Sequence, residues 1–395
     1  MEESEICSKQ IHLDRCSYRK TQTLSTEKEV PQQHIQMKKL KFDKTGNAEF
    51  SKILRIRVND HFKNNNKNIY GNANMVFKTV IMLSVFIIPI IIICTGVIAN
   101  AYLLFTLYIT SGLGMAGVGM GVMHDAIHGS YSKNQTVNKY LGYTMNLIGA
   151  NANVWKVQHN VLHHTYTNID HADDDINAPF FLRFSPNAKL YWIHRFQYLY
   201  IWFFYGLSTI SWITTKDFVR VNRYKEMGFF KKGSEFKKEI LKILGWKIFY
   251  YSYALVIPLL MAPLPTYIII LAFLSMHFVT GICISAVFQT AHIVSDASFP
   301  QPDAEGQMEG DWTVHQLATT SNYAPKSRFF SWLIGGLNFQ VEHHLFPNIS
   351  HVHYRELSVI VAETAQEFNV PYLVRDTFMD AISDHIDMLR QLGRA

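Results

Sequence analysis

Apolar residues in this chain are gathered into a few long runs, and those runs predict its architecture. Residues 79–98 form an almost purely apolar stretch of the roughly 20 residues a helix needs to cross a bilayer. Residues 101–123 form a second, interrupted only by small and uncharged polar side chains, with Ala99 and Asn100 alone between the two. Together they predict a tight helical hairpin that crosses and returns. Residues 247–262 and 266–289 predict another, turned by Pro263, Leu264 and Pro265, because proline stops a helix it would otherwise sit inside. The stretch 198–213 is aromatic and apolar but short and bounded by charge, a pattern expected of a helix lying in the membrane interface.

Shorter periodicities flank these runs. Phe50, Ile53, Leu54, Val58 and Phe62 recur at helical spacing among Lys52, Arg55, Arg57 and Lys63. That pattern suits an amphipathic helix on the membrane surface, with an ordinary core-facing helix as the alternative. Two further amphipathic helices are expected near the other end, marked by Leu357, Ile360, Val361 and Phe368, then by Phe378, Ile382, Ile386 and Leu389. Residues 1–45 are rich in Lys, Glu, Gln, Ser and Thr without periodicity and are expected to be a flexible tail, leaving 46–395 as one domain. The fold class this predicts is an all-α integral membrane protein, with four transmembrane helices in two hairpins and a helical cap.

Charge orients that scaffold. The net charge of +6 over 395 residues resides mostly between Arg183 and Lys247. By the positive-inside bias that side is the cytoplasm, and since both hairpins return to it, the cap and both termini are expected there. The same basic face suits anionic lipid headgroups or a phosphate-bearing substrate; nucleic acid is not an expected partner. Four cysteines, Cys7, Cys16, Cys94 and Cys283, are too scattered for a disulfide framework or a thiolate metal site. Residues 1–40 are charged and lack an apolar core segment, so no signal peptide is expected.

The chemistry lies in three histidine clusters. His159 and His163 are four residues apart, on one face of a helix, and His164 is turned about 100° from His163. His124 and His128 repeat the four-residue spacing, and Gln340, His343 and His344 form the third cluster. The two hairpins deliver all three to one side of the membrane. Many neutral imidazoles with few carboxylates suit iron, copper or zinc and argue against magnesium or calcium. Seven histidines exceed what one zinc takes, so two metals are expected, with the adjacent pairs His163/His164 and His343/His344 each sending one ring to either ion. A zinc hydrolase wants His-Glu-x-x-His, whereas Asp125, Ala126 and Ile127 separate the first pair and Asn160, Val161 and Leu162 the second. A zinc transporter would hold its ionisable residues near mid-bilayer rather than at helix ends.

His124-x-x-x-His128, His159-x-x-x-His163-His164 and Gln340-x-x-His343-His344, on two transmembrane hairpins, resemble the three histidine boxes of the membrane fatty acid desaturase family, over about residues 50–373. Glutamine at the head of the third box, with Trp312-x-x-His315-Gln316 before it, is similar to the front-end branch, whose members insert a double bond between an existing one and the carboxyl end. The resemblance implies a di-iron centre that uses dioxygen as cosubstrate, with His124, His128, His159, His163, His164, His343 and His344 as ligands. His292, at the cytosolic end of the last span, resembles a further isolated ligand. Gln340, His315 and Asp175 are expected to act through water or through a ligand imidazole, and Trp155 resembles a position beside the acyl chain. His171, His194, His351 and His353 are expected to hydrogen-bond around the boxes, and Asp170, Asp173 and Asp174 either to orient ligand imidazoles or, for most of them, to form a solvated acidic turn. His277, fifteen residues before His292, is too far along one helix to share its cluster. No His-Pro-Gly-Gly signature of a fused cytochrome b5 domain occurs, so electrons are expected from a separate carrier such as ferredoxin or cytochrome b5. The implied substrate is an acyl-CoA or acyl-lipid. A hydroxylase of the same fold and, further off, a zinc-dependent membrane protein are the alternatives.

Overall fold

A computed structural model describes residues 40–43 and 47–394; most of the segment expected to be a flexible tail lies outside the described residues. Leu40, at its end, is buried, and Lys41–Phe42 pairs in parallel with Gln307–Met308. Among the described residues four helices are long and apolar enough to cross a membrane: Ala73–Cys94, Ala101–His128, Ser234–Met261 and Thr266–His292. The first two begin where Asn72 and Asn100 side chains accept the Met75 and Leu103 N–H groups, which satisfies donors the first turn leaves open. The first helix starts six residues ahead of its apolar run and ends at Cys94, so the connection is 95–100 rather than two residues. The third begins at Ser234, well before residue 247, because helical hydrogen bonding continues through polar residues while Lys237, Lys238 and Lys242 point outward.

Small residues bring these helices together. A Cβ at Gly114 of the second helix would lie 2.3 Å from the Phe86 nitrogen of the first, so only glycine lets the backbones approach this closely, as helices in lipid require when apolar burial does not drive their packing. The helix Gln197–Ser211 departs from the interfacial placement expected of it. It runs lengthwise along Thr266–His292: a Cβ at Gly281 would lie 2.4 Å from the Tyr205 carbonyl oxygen, Ser285 Oγ donates to Ser208 Oγ, and Thr209 Oγ1 donates to the His277 carbonyl at 2.8 Å. Its polar and small residues, on one stripe, find partners on the membrane helix, which a helix lying flat would meet at a single level.

Above the apolar helices, Ala48–Asn64 packs its Phe50, Leu54, Val58 and Phe62 stripe against Leu357, Val361 and Ala365 of Tyr354–Glu367. The stripe is covered by protein, so the core-facing alternative describes this helix. Ser321–Tyr323 pairs in parallel with Leu373–Arg375. The last helix, Phe378–Leu392, is tied to the end of the fourth membrane helix, where His385 Nδ1 donates to the Ile293 carbonyl at 2.8 Å.

Candidate metal centre

Both helical histidine clusters sit where the backbone is wound as a π-helix or directly follows one. Gly119–Met123 precedes His124, and Val157–His163 carries His159 and His163. A π turn takes more residues than an α turn, so the position five residues after His159 comes back round to its face. His164 is therefore not turned away as α-helical spacing predicts: its Nε2 lies 3.2 Å from His159 Nε2.

Around His159 Nε2 stand three other imidazole nitrogens, Nε2 of His124 at 3.0 Å, of His164 at 3.2 Å and of His343 at 3.4 Å. One imidazole nitrogen carries one hydrogen or one lone pair, so a single hydrogen bond is the most it makes and the remaining contacts need another partner. A cation among the rings would be that partner. With metal–nitrogen bonds of about 2.0–2.1 Å, neighbouring ligand nitrogens lie about 3.0–3.4 Å apart, the spacing found. His124, His128, His159 and His343 each offer a ligand atom within 4.8 Å of the others, and His163, His292 and His344 form a second such group. In the second group the ring centroids are 4.7, 4.8 and 4.9 Å apart. His343 and His344 thus face different groups. His164 lies between the two, stacked on His344 at 4.4 Å.

Hydrogen bonds on the outer nitrogens aim these rings. His344 Nδ1 donates to Gln316 Oε1 at 2.8 Å, and His292 Nδ1 to the Thr319 carbonyl at 3.3 Å. His163 Nδ1 lies 3.1 Å from both Asp173 oxygens, and His343 Nδ1 meets Tyr354 Oη at 3.1 Å. Fixing Nδ1 leaves Nε2 to point inward with its lone pair, the usual arrangement around a metal. Nε2 of His128, His292 and His344 is buried without a protein partner, an expensive state for polar atoms unless a ligand takes them. Burial, and then the neighbouring imidazoles, hold His159, His164, His343 and His344 well below the ordinary histidine range, so they are neutral and free to ligate. Burial presses His163 down too, but the Asp173 and Asp175 carboxylates outweigh it and raise that imidazole to about 9. The donor set fits two metal ions with nitrogen ligands.

The other singled-out residues fall into place around this core. Asp175 accepts from Gln158 Nε2 at 2.6 Å and has its other oxygen 3.6 Å from His163 Nδ1, so Asp173 is the nearer anchor. Both side-chain polar atoms of Gln340 are buried without a partner in the chain. His315 is outside both groups, its ring on Phe42 at 5.0 Å, and its neighbour Gln316 is the residue that reaches a box histidine. The acidic turn is buried rather than solvated at Asp170, Asp173 and Asp174, because each carboxylate has donors: Ser185 for Asp170, His163 for Asp173, and Arg220, Arg223 and Tyr224 for Asp174. His171 is exposed, His194 donates to the Phe180 carbonyl and His353 to the Tyr70 carbonyl. His351 links the buried Lys78 of the first membrane helix to Asp125, beside His124. His277 meets Tyr250 Oη at 2.5 Å, away from either group.

Trp155 is stacked on His159 at 4.4 Å. It lines, with Met115, Gly119, Met123, Ile284 and Phe288, an apolar cavity, and Phe288 lies 6.0 Å from the His124 ring. The cavity therefore lies against the first histidine group. Tyr354, Thr319 and Asp125 carried no signal in the sequence; Gln316 carried one through its place beside the third box.

Comparison with known proteins agrees with this geometry. The model of the family described as fatty acid desaturase matches residues 100–376. An sn-1 linoleoyl-lipid 6-desaturase of Arthrospira platensis is 34% identical over 351 residues, 87% of this chain and 92% of its own length. One of the same name from Synechocystis is 34% identical over 88% of this chain and 96% of its own, and an acyl-lipid (8-3)-desaturase of Mortierella alpina is 33% identical over 87% and 78%. Helices fit to span a membrane, histidines gathered for a metal, and relatives matched along most of their length converge on one conclusion: the chain belongs to the fatty acid desaturase family and is an oxidoreductase that desaturates acyl chains.

Proposed function

We propose that this protein is a front-end desaturase acting on an acyl-lipid or acyl-CoA that already carries a double bond, with two irons held by His124, His128, His159, His164 and His343 on one side and by His163, His292 and His344 on the other. The observation that carries this reading is the meeting of an apolar cavity with the first histidine group at Trp155. The names of the relatives, two linoleoyl-lipid 6-desaturases and an acyl-lipid (8-3)-desaturase, support the regiochemistry and the substrate class. When bound, iron would activate dioxygen, which would take two hydrogens from neighbouring methylenes and, with two electrons from a separate redox protein on the cytosolic side and two protons, leave as two waters. The chain does the rest. Trp155, Met123 and Phe288 hold the methylenes beside the first group and keep water away; Asp173, Gln316, Tyr354 and the Thr319 carbonyl hold the ligand rings in place; Gln340, buried with both polar atoms unpartnered in the chain, would take a water.

Membranes containing the full chain, given defined unsaturated acyl lipids, dioxygen, a reductant and a small electron carrier, test this. The expected product has lost two hydrogens and carries the new bond on the carboxyl side of the existing one. A bond on the methyl side would refute front-end action, a hydroxylated product would refute desaturation by this site, and zinc without iron in the active protein would refute the metal assignment.

A further inference from the structure

A lysine and an aspartate are buried together beside the apolar cavity, far from any role in ligating metal. Lys247, 6% exposed, lies in the third membrane helix, and Asp217, 1% exposed, lies just beyond the helix that runs along the fourth. Lys247 Nζ donates to Asp217 Oδ2 at 2.8 Å, to the Trp212 carbonyl at 2.7 Å and to the Gly149 carbonyl at 3.1 Å. An ammonium has three hydrogens and no acceptor, so its capacity is fully used, and each bond goes to a different element. The Trp212 carbonyl opens the π turn Trp212–Lys216, where regular α-helical bonding is interrupted. Gly149 sits in a left-handed turn at φ +88°.

Both of those peptide units belong to the cavity wall. Trp212 and Ile213 line it, and so do Ile148 and Ala150, the neighbours of Gly149, and the two stretches meet where Gly149 packs against Ile213. Trp155 follows six residues after Gly149, on the helix that Asn151 caps by accepting the Val154 N–H. A buried ion pair is a poor means of adding stability, since a matched apolar pair often does as well. Its distinguishing property is direction: charge-assisted bonds hold donor and acceptor at fixed length, so one ammonium prevents the two walls from parting or sliding.

Resting on the reading of this cavity as the acyl site, we propose that Lys247, paired with Asp217, is a positioning residue for regioselectivity, fixing the two cavity walls in register so that one pair of methylenes is presented to the metal centre. A chain that slips by one carbon moves the new bond by one position. Apolar contact alone discriminates a single methylene by only about 10–200-fold, so walls free to shift lose most of that.

The test uses the full chain in membranes, with Lys247→Met, which strands the Asp217 carboxylate, and Lys247→Met/Asp217→Leu, which removes both charges at similar volume. Metal per protein, unfolding temperature in detergent and the positional isomers of the product are measured for each. The expected result is a double variant with metal and unfolding temperature like the parent, but with at least about a tenfold rise in the share of product carrying the bond one carbon away. A double variant that makes the parent's single isomer overturns the proposal. So does loss of metal or stability with no isomer shift at whatever turnover remains, for then the pair is only structural. Gly119→Phe, which fills the cavity, separates the two levels of inference: unchanged conversion by that variant refutes the acyl reading of the cavity itself, whereas lost conversion with metal retained leaves the clamp to be judged on its isomers.

Discussion

Replacing Asp173 by asparagine tests how the second histidine group is held, because the structure gives that change two opposing effects. The carboxylate is buried and accepts from His163 Nδ1, from the Asn168 N–H at 3.0 Å and from the Asp175 N–H at 2.9 Å. Asparagine keeps the shape but turns an amide NH2 toward one of these donors and removes the charge that makes the imidazole basic. Loss of such a partner weakens metal binding about 10–100-fold, equivalent to about 1.4–2.8 kcal/mol. The second effect runs the other way. Without metal, His163 is held at about 9 and is protonated below that pH, so a metal must displace a proton to reach Nε2. At pH 7 that competition costs about 100-fold, or about 2.7 kcal/mol. His159, His164, His343 and His344 lie well below their ordinary range and add no slope between pH 7 and 9. Affinity of the parent therefore rises about tenfold per pH unit from 7 to 9 and then levels, whereas Asp173→Asn, which leaves Asp175 3.6 Å from the ring, loses only part of that rise. Competition of detergent-solubilised protein with a chromophoric chelator for cobalt(II) measures both. At pH 9 the variant binds about 10–100-fold more weakly, and at pH 7 the gap narrows to a fewfold. An equal ratio at both pH values would refute the account of His163 as a paired imidazolium.

Three further outcomes are expected. Gln316→Leu removes the acceptor of His344 Nδ1 and lowers metal affinity about 10–100-fold in the same titration, whereas His315→Leu, outside both groups, leaves metal content per folded protein within a fewfold. Lys78→Met breaks the buried chain through His351 to Asp125 and costs about 1.5–3 kcal/mol, the worth of a hydrogen bond from a charged group, read as a lower unfolding midpoint in detergent; Lys78→Met/Asp125→Asn recovers part of it, and no recovery would sink the charge argument. Gly114→Val forces apart the first two membrane helices, since its Cβ would lie 2.3 Å from the Phe86 nitrogen; overpacking of about 1–3 kcal/mol or more is expected as loss of folded protein in size-exclusion chromatography.

The runs of apolar residues and the spacing of histidines are local patterns, and they made the four membrane helices and the meeting of His124, His159 and His343 legible before any coordinates. What stayed hidden depends on contacts between distant segments. The π turn at Val157–His163 leaves no mark in the residue pattern, so α-helical spacing misplaced His164. The acidic turn looked like a solvated loop because the arginines that pair Asp174 lie some fifty residues away in the chain. The stripe of Phe50, Leu54, Val58 and Phe62 has the same pattern whether lipid or Leu357 covers it. Tyr354 and the Thr319 carbonyl act through an oxygen whose direction only the folded cap supplies.

The two histidine groups also bear on how the protein is made. Their members run from His124, at the end of the second membrane helix, to His344, so neither group exists until the ribosome has finished the fourth helix and most of the cap. Insertion into the bilayer, driven by apolar segments, needs no metal, so metal capture would follow it. A metal clip that closes so long a loop gains the most stability in principle, so bound ions would act as late crosslinks between the cap and the inserted helices. A cell short of metal would accumulate inserted but unlocked chains, and the availability of the ion would set how much of the synthesised protein survives.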